Sequence, residues 1–299
     1  MWFKNLRLYR FTEKLAPASQ GESTLNETLS KHPFTPLTGL QETTFGWVHP
    51  FQDSALLCEQ LGGRLFITAQ IQQKILPPAV LNEALADQVN ALEEAEGRRP
   101  GRKERDALKE QIRAEMLPKA FHKTRRISAW IDLDRGWLAI NAAAEKDADD
   151  FTAHLREALG SLPVVPLGKS HAGSATLTDW YQDPAERPEG TELTEDLQLT
   201  MNGDPSVKAR YKNLDMEAPE IRHSLDSGMG IRQLGLSINN QCTCVIDDNF
   251  TLKRLKFSEA LIEQTADSDD PRTDALLMSD TLTQWLGGLL EQLEGESHD

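Results

Sequence analysis

Ile127-Ser128-Ala129-Trp130-Ile131-Asp132-Leu133-Asp134-Arg135-Gly136-Trp137-Leu138-Ala139-Ile140 is the stretch on which the fold turns. Ile127, Ala129, Ile131 and Leu133 alternate with the residues between them, the period-two pattern of a strand that buries one face. Asp134-Arg135-Gly136 supplies turn chemistry, and Trp137 to Ile140 reads as the returning strand. Upstream, Leu65 to Ile71 repeats the pattern, with Leu65, Ile67 and Ala69 alternating with Phe66 and Thr68. Between these strands the period changes. After Pro77-Pro78, Leu81, Leu85, Val89 and Leu92 fall on one helical stripe, and Leu108, Ile112 and Met116 form a second that Pro118 stops. Gly97-Arg98-Arg99-Pro100-Gly101-Arg102-Lys103 lies between the stripes, and its Gly and Pro break any single helix. The prediction is a helical hairpin with a cationic tip; the plain alternative is a solvated turn.

Downstream, Phe151, Leu155 and Leu159 mark an amphipathic helix that ends near Gly160. The stretch from Asp179 to Asp204, with Pro184, Pro188 and Gly190, reads as a linker or lid. Strands are expected at 206–211, 231–238, 241–247 and 250–257, with a helix between the first two. In the last, simple alternation puts Arg254 and Lys256 on one face and Lys253 on the other. Leu282, Leu286, Leu289 and Leu293 define a closing helix. The fold class is therefore α+β, a two-lobed body with a protruding helical hairpin. Its parts are an N-terminal α+β part (1–76), the hairpin with its basic tip (77–118), a return to the body (119–178) and a C-terminal α+β region (179–299).

Composition narrows the function classes. The 299 residues, 39% hydrophobic and 26% charged, describe a globular chain long enough for about two domains. No apolar run reaches the length of a membrane span, and the N-terminus lacks the apolar core of a signal peptide, so a cytoplasmic protein is expected. Three cysteines, Cys58, Cys242 and Cys244, fit a reducing compartment; Cys242 and Cys244 point the same way from a strand and read as packing. Net charge is -15, but its distribution is segregated. Residues 98–126 hold eleven bases to four acids, whereas 179–204 holds eight acids to one base and 259–299 eleven to one. Two differently charged faces follow.

Catalytic chemistry finds little support. Gly168-Lys169-Ser170 resembles the end of a phosphate-binding loop, but Pro163 stands where that loop needs glycine. Asp132 and Asp134, two apart on a strand, would suit a metal-dependent nuclease; a hairpin turn also accounts for them. The histidines are scattered and no nucleophile elbow is present, so neither a metal nor another cofactor is expected. Bases without a catalytic centre point instead to polyanion binding through phosphate. Besides the tip, candidates are Lys4, Arg7 and Arg10, Lys74, Lys119, Lys123 and Arg125, Lys208, Arg210 and Lys212, and Lys253, Arg254 and Lys256. Only the fold can bring them together. An acidic scaffold that engages a basic protein partner is the competing reading.

Trp2-Phe3-Lys4-Asn5-Leu6 with Tyr9-Arg10, Phe34-Thr35-Pro36, Gly46-Trp47-Val48, Lys74-Ile75-Leu76-Pro77, Leu117-Pro118-Lys119-Ala120-Phe121, Trp130-Ile131-Asp132, Leu159-Gly160-Ser161-Leu162-Pro163-Val164-Val165-Pro166-Leu167 and Leu252-Lys253-Arg254-Leu255-Lys256-Phe257 occur in this order. The set resembles the bacterial recombination-associated RdgC family. That resemblance implies a non-enzymatic, nucleoid-associated protein that encircles duplex DNA as a ring-shaped homodimer closed by two isologous contacts, and that restrains RecA-driven recombination. It places Lys74, Lys119, Lys253, Arg254 and Lys256 in matched motifs, and it likens Phe121 to a subunit-contact position. Arg98, Arg99, Arg102 and Lys103 belong to a less well matched tip, and the sequence departs from the family around Arg210-Tyr211-Lys212.

Overall fold

The computed structural model describes residues 1–15, 21–169 and 172–295. Its elements are β1 (Asn5–Phe11), α1 (Glu22–Leu29), β2 (Thr43–Val48), β3 (Cys58–Leu61), β4 (Arg64–Lys74), α2 (Pro78–Glu96), α3 (Arg102–Met116), β5 (His122–Asp132), β6 (Trp137–Ile140), α4 (Glu145–Leu159), β7 (Val164–Pro166), α5 (Gly173–Gln182), β8 (Thr191–Met201), β9 (Asp204–Lys212), α6 (Pro219–Asp226), β10 (Met229–Ile238), β11 (Cys242–Asp247), β12 (Leu252–Phe257), α7 (Glu259–Glu263) and α8 (Pro271–Gly295). The strands form one 12-stranded sheet in the order β2-β4-β5-β6-β1-β12-β11-β10-β8-β9, with β3 added on β4 and β7 on β1. Every pairing between these strands is antiparallel. The expected hairpin is the β5–β6 pair, with Asp132 opposite Trp137. Its first strand begins earlier than the apolar alternation suggests, because polar residues 122–126 pair with 70–74 of β4.

The sheet separates two cores. Leu6, Leu8, Phe66, Trp130, Trp137 and Ala139 face one side, where α8 adds Met278, Leu282, Trp285, Leu286 and Leu289. Tyr9, Leu65, Ile67, Ala69, Ile127, Ala129, Ile131, Leu138 and Ile140 face the other, beneath Phe151 and Leu155 of α4 and Leu25 and Leu29 of α1. Both faces of the central strands are thus covered, which is why Phe66 and Trp130 are as buried as their neighbours. The first core continues under β8 and β10 to β12 through Leu197, Leu199, Ile231, Leu234, Leu236, Ile246 and Leu252. Among the described residues, no apolar cluster forms on the opposite face of those strands.

α2 and α3 share a small core of their own, made by Leu81, Leu85, Val89 and Ile112, with Leu108 and Met116 packed against it. Gly97, at φ 67°, ends α2 in the left-handed conformation that glycine adopts without strain. Leu92 is only half-buried.

The acidic stretch is more ordered than its composition suggests. Leu197 and Leu199 are buried, and β8 pairs with β10 along one edge and β9 along the other. Acidic side chains on alternate positions hide an interior strand, so the expected linker or lid is confined to the turns around Pro184 and Pro188. Ser170 and His171, in the glycine-lysine-serine stretch, lie outside the described residues.

Candidate nucleic-acid interface

Strand register decides which bases share a surface. On β1, Arg7 alternates with Leu6 and Leu8 and so faces the side of Tyr9 and the second core. On β5, Lys123 and Arg125 pair with Gln73 and Ile71, on that same side. On β9, Lys208, Arg210 and Lys212 pair with Thr200, Gln198 and Asp196, which alternate with the first-core residues Leu197 and Leu199. Lys253 pairs with Val245 and Lys256 with Thr243, both opposite in direction to the buried Cys242 and Cys244. Four strands, β1, β5, β9 and β12, thus deliver their bases to one side of the sheet: the side that β8 to β12 leave without an apolar cover.

One expectation is corrected here. Lys253 and Lys256 lie on the same face, because a bulge between Thr243 and Val245 sets Arg254 and Leu255 against a single residue of β11. Arg254 occupies the bulge at φ 55°, left-handed for a non-glycine residue. Leu255 turns into the core, and the Arg254 Nη2 reaches Asp196 Oδ2 at 2.9 Å. Asp196 stands on β8, three places from β12 in the sheet order, a span of about 14 Å on a flat sheet. The reach is shortened by an irregularity in the β8–β10 pairing, where Leu197 faces Leu234 but Thr194 faces Gly235, which brings Asp196 over β10 toward Arg254. Gly235 lies on the strand between, where an added Cβ would come within 2.3 Å of Thr194 Oγ1 and 3.0 Å of the Asp196 carbonyl.

The bases differ in what already holds them. Lys208, Arg210, Lys212 and Lys256 are exposed and carry no ion pair among the described residues; Lys123 is likewise free. Lys253 Nζ sits 2.7 Å from Asp247 Oδ2. Arg125 pairs with Asp147 at the start of α4, and Arg7 donates to the Ala143 carbonyl at 3.5 Å. The carboxylates of Asp196 and Asp247 inside this basic surface escaped the sequence reading. Asp196 lay in a stretch taken for a linker, and no local pattern places it opposite Arg254.

The other candidates stand apart. Lys4 is exposed just before β1, and its carbonyl accepts from Leu255 N. Lys74 is committed locally: its Nζ donates to the carbonyls of Pro118 and Ala120 at 3.2 and 3.4 Å, fixing the turn that presents Lys119 and Phe121. Phe121 is 86% exposed, and its carbonyl accepts from Ile75 N, whose side chain is itself 45% exposed. Between α2 and α3, Arg98 is held by Glu96 and Glu104 and Arg99 by Glu93, whereas Arg102 and Lys103 have no ion pair among the described residues. Glu104 is correspondingly pulled below the usual carboxylate range by its hydrogen bond from Arg98.

Asp132 and Asp134 do not converge. Asp132 is 5% exposed; its Oδ1 accepts from Arg135 N at 3.0 Å, and its Oδ2 lies 3.4 Å from Arg64 Nε and 3.8 Å from Arg135 Nε. Asp134 is exposed in the turn. Two guanidiniums therefore compensate the carboxylate that a nuclease would give to a cation. Among the described residues no group of three or more His, Cys, Asp or Glu side chains is placed to hold a metal ion. Cys58, Cys242 and Cys244 are buried, and burial raises the Cys58 and Cys242 thiols to about 12.

Comparison with known proteins gives the lineage. A family model described as "Putative exonuclease, RdgC" matches residues 1–296. The chain belongs to the RdgC family. Its similarity to the recombination-associated protein RdgC of Cupriavidus necator is 34% identity over 301 residues, covering 99% of both chains. The RdgC of Aeromonas hydrophila is 35% identical over 303 residues, with 99% of each chain covered. That of Pseudomonas entomophila is 35% identical over 304 residues, 99% of this chain and 98% of its own. The curated RdgC names describe association with recombination, and the family description names an exonuclease. No helix among the described residues is long and apolar enough to cross a membrane.

Proposed function

We propose that the protein binds duplex DNA with little regard to base sequence, as a ring-shaped homodimer without catalytic activity. In doing so it restrains RecA-dependent recombination at the nucleoid. The observation that carries this reading is the one-sided distribution of Arg7, Lys123, Lys208, Arg210, Lys212, Lys253, Arg254 and Lys256 across the sheet. Strand-borne lysines and arginines without base-reading partners recognise phosphate, and phosphate is the same along any duplex. Most of the excess acids of this chain, -15 net overall, then lie on other surfaces, which keeps the protein off unintended polyanion contacts. Such a protein acts by occupying DNA that a recombinase filament needs, and its relatives' association with recombination supports that role.

Ring closure calls for two contacts at separated places. Phe121, with Ile75 beside it, is an apolar pair exposed near the β2–β4–β5 end of the sheet, and burying it against its own symmetry mate supplies one. β9, the strand at the other end, has an unpaired outer edge suited to the second. The hairpin of α2 and α3 projects from this frame and offers Arg102 and Lys103 as auxiliary contacts. A ring has a topological signature. After loading at low salt and transfer to high salt, it should leave linear duplex quickly and covalently closed circles slowly. Equal dissociation from both would overturn the ring.

A further inference from the structure

We propose that Asp196 is a built-in competitor of DNA phosphate: its carboxylate occupies Arg254 in the free protein and thereby holds duplex affinity down. This rests on the duplex-binding reading above. Asp196 sits in the middle of the basic face, opposite Lys212 in the β8–β9 register and 2.9 Å from the Arg254 guanidinium across β10 and β11. Arg254 is aimed there by the bulge, at a backbone conformation that disfavours any side chain, and Gly235, where an added Cβ would lie 3.1 Å from Asp196 Cβ, leaves room for Asp196 over β10. Both partners remain within reach of a ligand, with side chains 22% and 45% exposed.

The comparison with Asp247 shows what is unusual about Asp196. Asp247 also neutralises a base of this face, Lys253, but its Oδ1 accepts from Asn249 N at 3.0 Å and Thr251 N at 2.9 Å, so it builds the β11–β12 turn. The Oδ1 of Asp196 is buried with no hydrogen-bond partner. Its carboxylate therefore serves no turn or cap; among the described residues its side-chain polar contact is Arg254. A phosphate oxygen offers the same acceptor geometry to the guanidinium. When DNA arrives, Arg254 must leave Asp196 before it can pair with a phosphate, so part of that contact is offset by the broken ion pair, and the freed carboxylate stands as a like charge beside the DNA backbone. Asp196 thus lowers duplex affinity and keeps the bound protein readily exchangeable.

Fluorescence anisotropy of a duplex oligonucleotide across a salt series tests this. Asp196→Asn should tighten binding by about three- to fivefold, the worth of a partly exposed ion pair, with the slope of log affinity against log salt little changed. Asp196→Ser should do the same, with thermal melting confirming both folds. Asp226→Asn, an equal charge change at the end of α6, should stay within about twofold of wild type if long-range charge is minor, as screening predicts. In an Arg254→Ala background Asp196→Asn should give no gain. An unchanged affinity for Asp196→Asn, with wild type binding in a salt-sensitive manner, would overturn the competitor role alone. A wild type that shows no salt-sensitive duplex binding would overturn the duplex reading and this inference with it.

Discussion

Asp132→Ala separates a structural carboxylate from a catalytic one. Asp132 is buried between β5 and β6, facing Arg64 and Arg135, and Arg64 in turn donates to Ser279 Oγ at 3.0 Å and Asp280 Oδ1 at 2.6 Å on α8. Removing the carboxylate leaves Arg64, itself 8% exposed, short of a buried counter-charge and strips the turn of its acceptor for Arg135 N. Breaking a buried pair on one side destabilises by about 3–5 kcal/mol. Asp280 is 57% exposed and retains part of the compensation, so the lower half of that range applies. Asp132→Asn keeps an acceptor for the Arg135 amide and should lose less, about 1–2 kcal/mol. Urea unfolding followed by tryptophan fluorescence measures both, and duplex affinity of the folded variants should stay at the wild-type value. A stability within about 0.5 kcal/mol of wild type for Asp132→Ala would refute the network argument. Divalent-cation-dependent DNA cleavage by wild type that Asp132→Asn abolishes would move this residue into a nuclease site.

Further outcomes follow from the same geometry. Changing Lys208, Arg210 and Lys212 together to Gln should flatten the salt slope by up to about 2.7, three phosphate contacts at about 0.9 each; an unchanged slope in the salt series would remove β9 from the interface. Reversing Arg98, Arg99, Arg102 and Lys103 to Glu should weaken binding, and Arg102 and Lys103 alone should account for most of the loss, because Arg98 and Arg99 are already neutralised. Phe121→Ser should leave protomer unfolding within about 0.5 kcal/mol of wild type while shifting the dimer toward monomer in sedimentation equilibrium. The raised thiols make stability fall with pH: the unfolded chain loses protons near pH 9 while Cys58 and Cys242 retain theirs to about 12. Melting temperature should accordingly decline over that interval, and less so in a Cys58→Ala, Cys242→Ala variant, once each is compared with its own pH 8 value.

Period-two alternation was legible wherever a strand buried one or both faces, so Leu65–Ile71, Ile127–Leu133 and Leu234–Ile238 declared themselves in sequence. Helical spacing did the same for α2, α4 and α8. β8 was obscured because Glu192, Glu195 and Asp196 surround its buried Leu197 and Leu199, and acidic composition outweighed a short apolar alternation. The β12 bulge was invisible for another reason. It is set by pairing with β11 and by the Asn5 side chain and Lys4 carbonyl that receive the Arg254 and Leu255 amides, contacts from a strand far away in the chain. The candidate bases could be picked out by charge alone, but their common side depends on the register of β1, β5, β9 and β12 in one sheet. The acids that partner them depend on the bulges in β8 and β12. Neither quantity is encoded locally.

A phosphate-binding sheet face acting within a dimer is tested by duplex affinity across a salt series, with the oligomeric state determined on the same sample. The expected result is a dimer whose log affinity falls linearly with log salt, equally for unrelated sequences and without cleavage. No binding at low salt would contradict it and leave the acidic surface as a docking site for a basic protein partner.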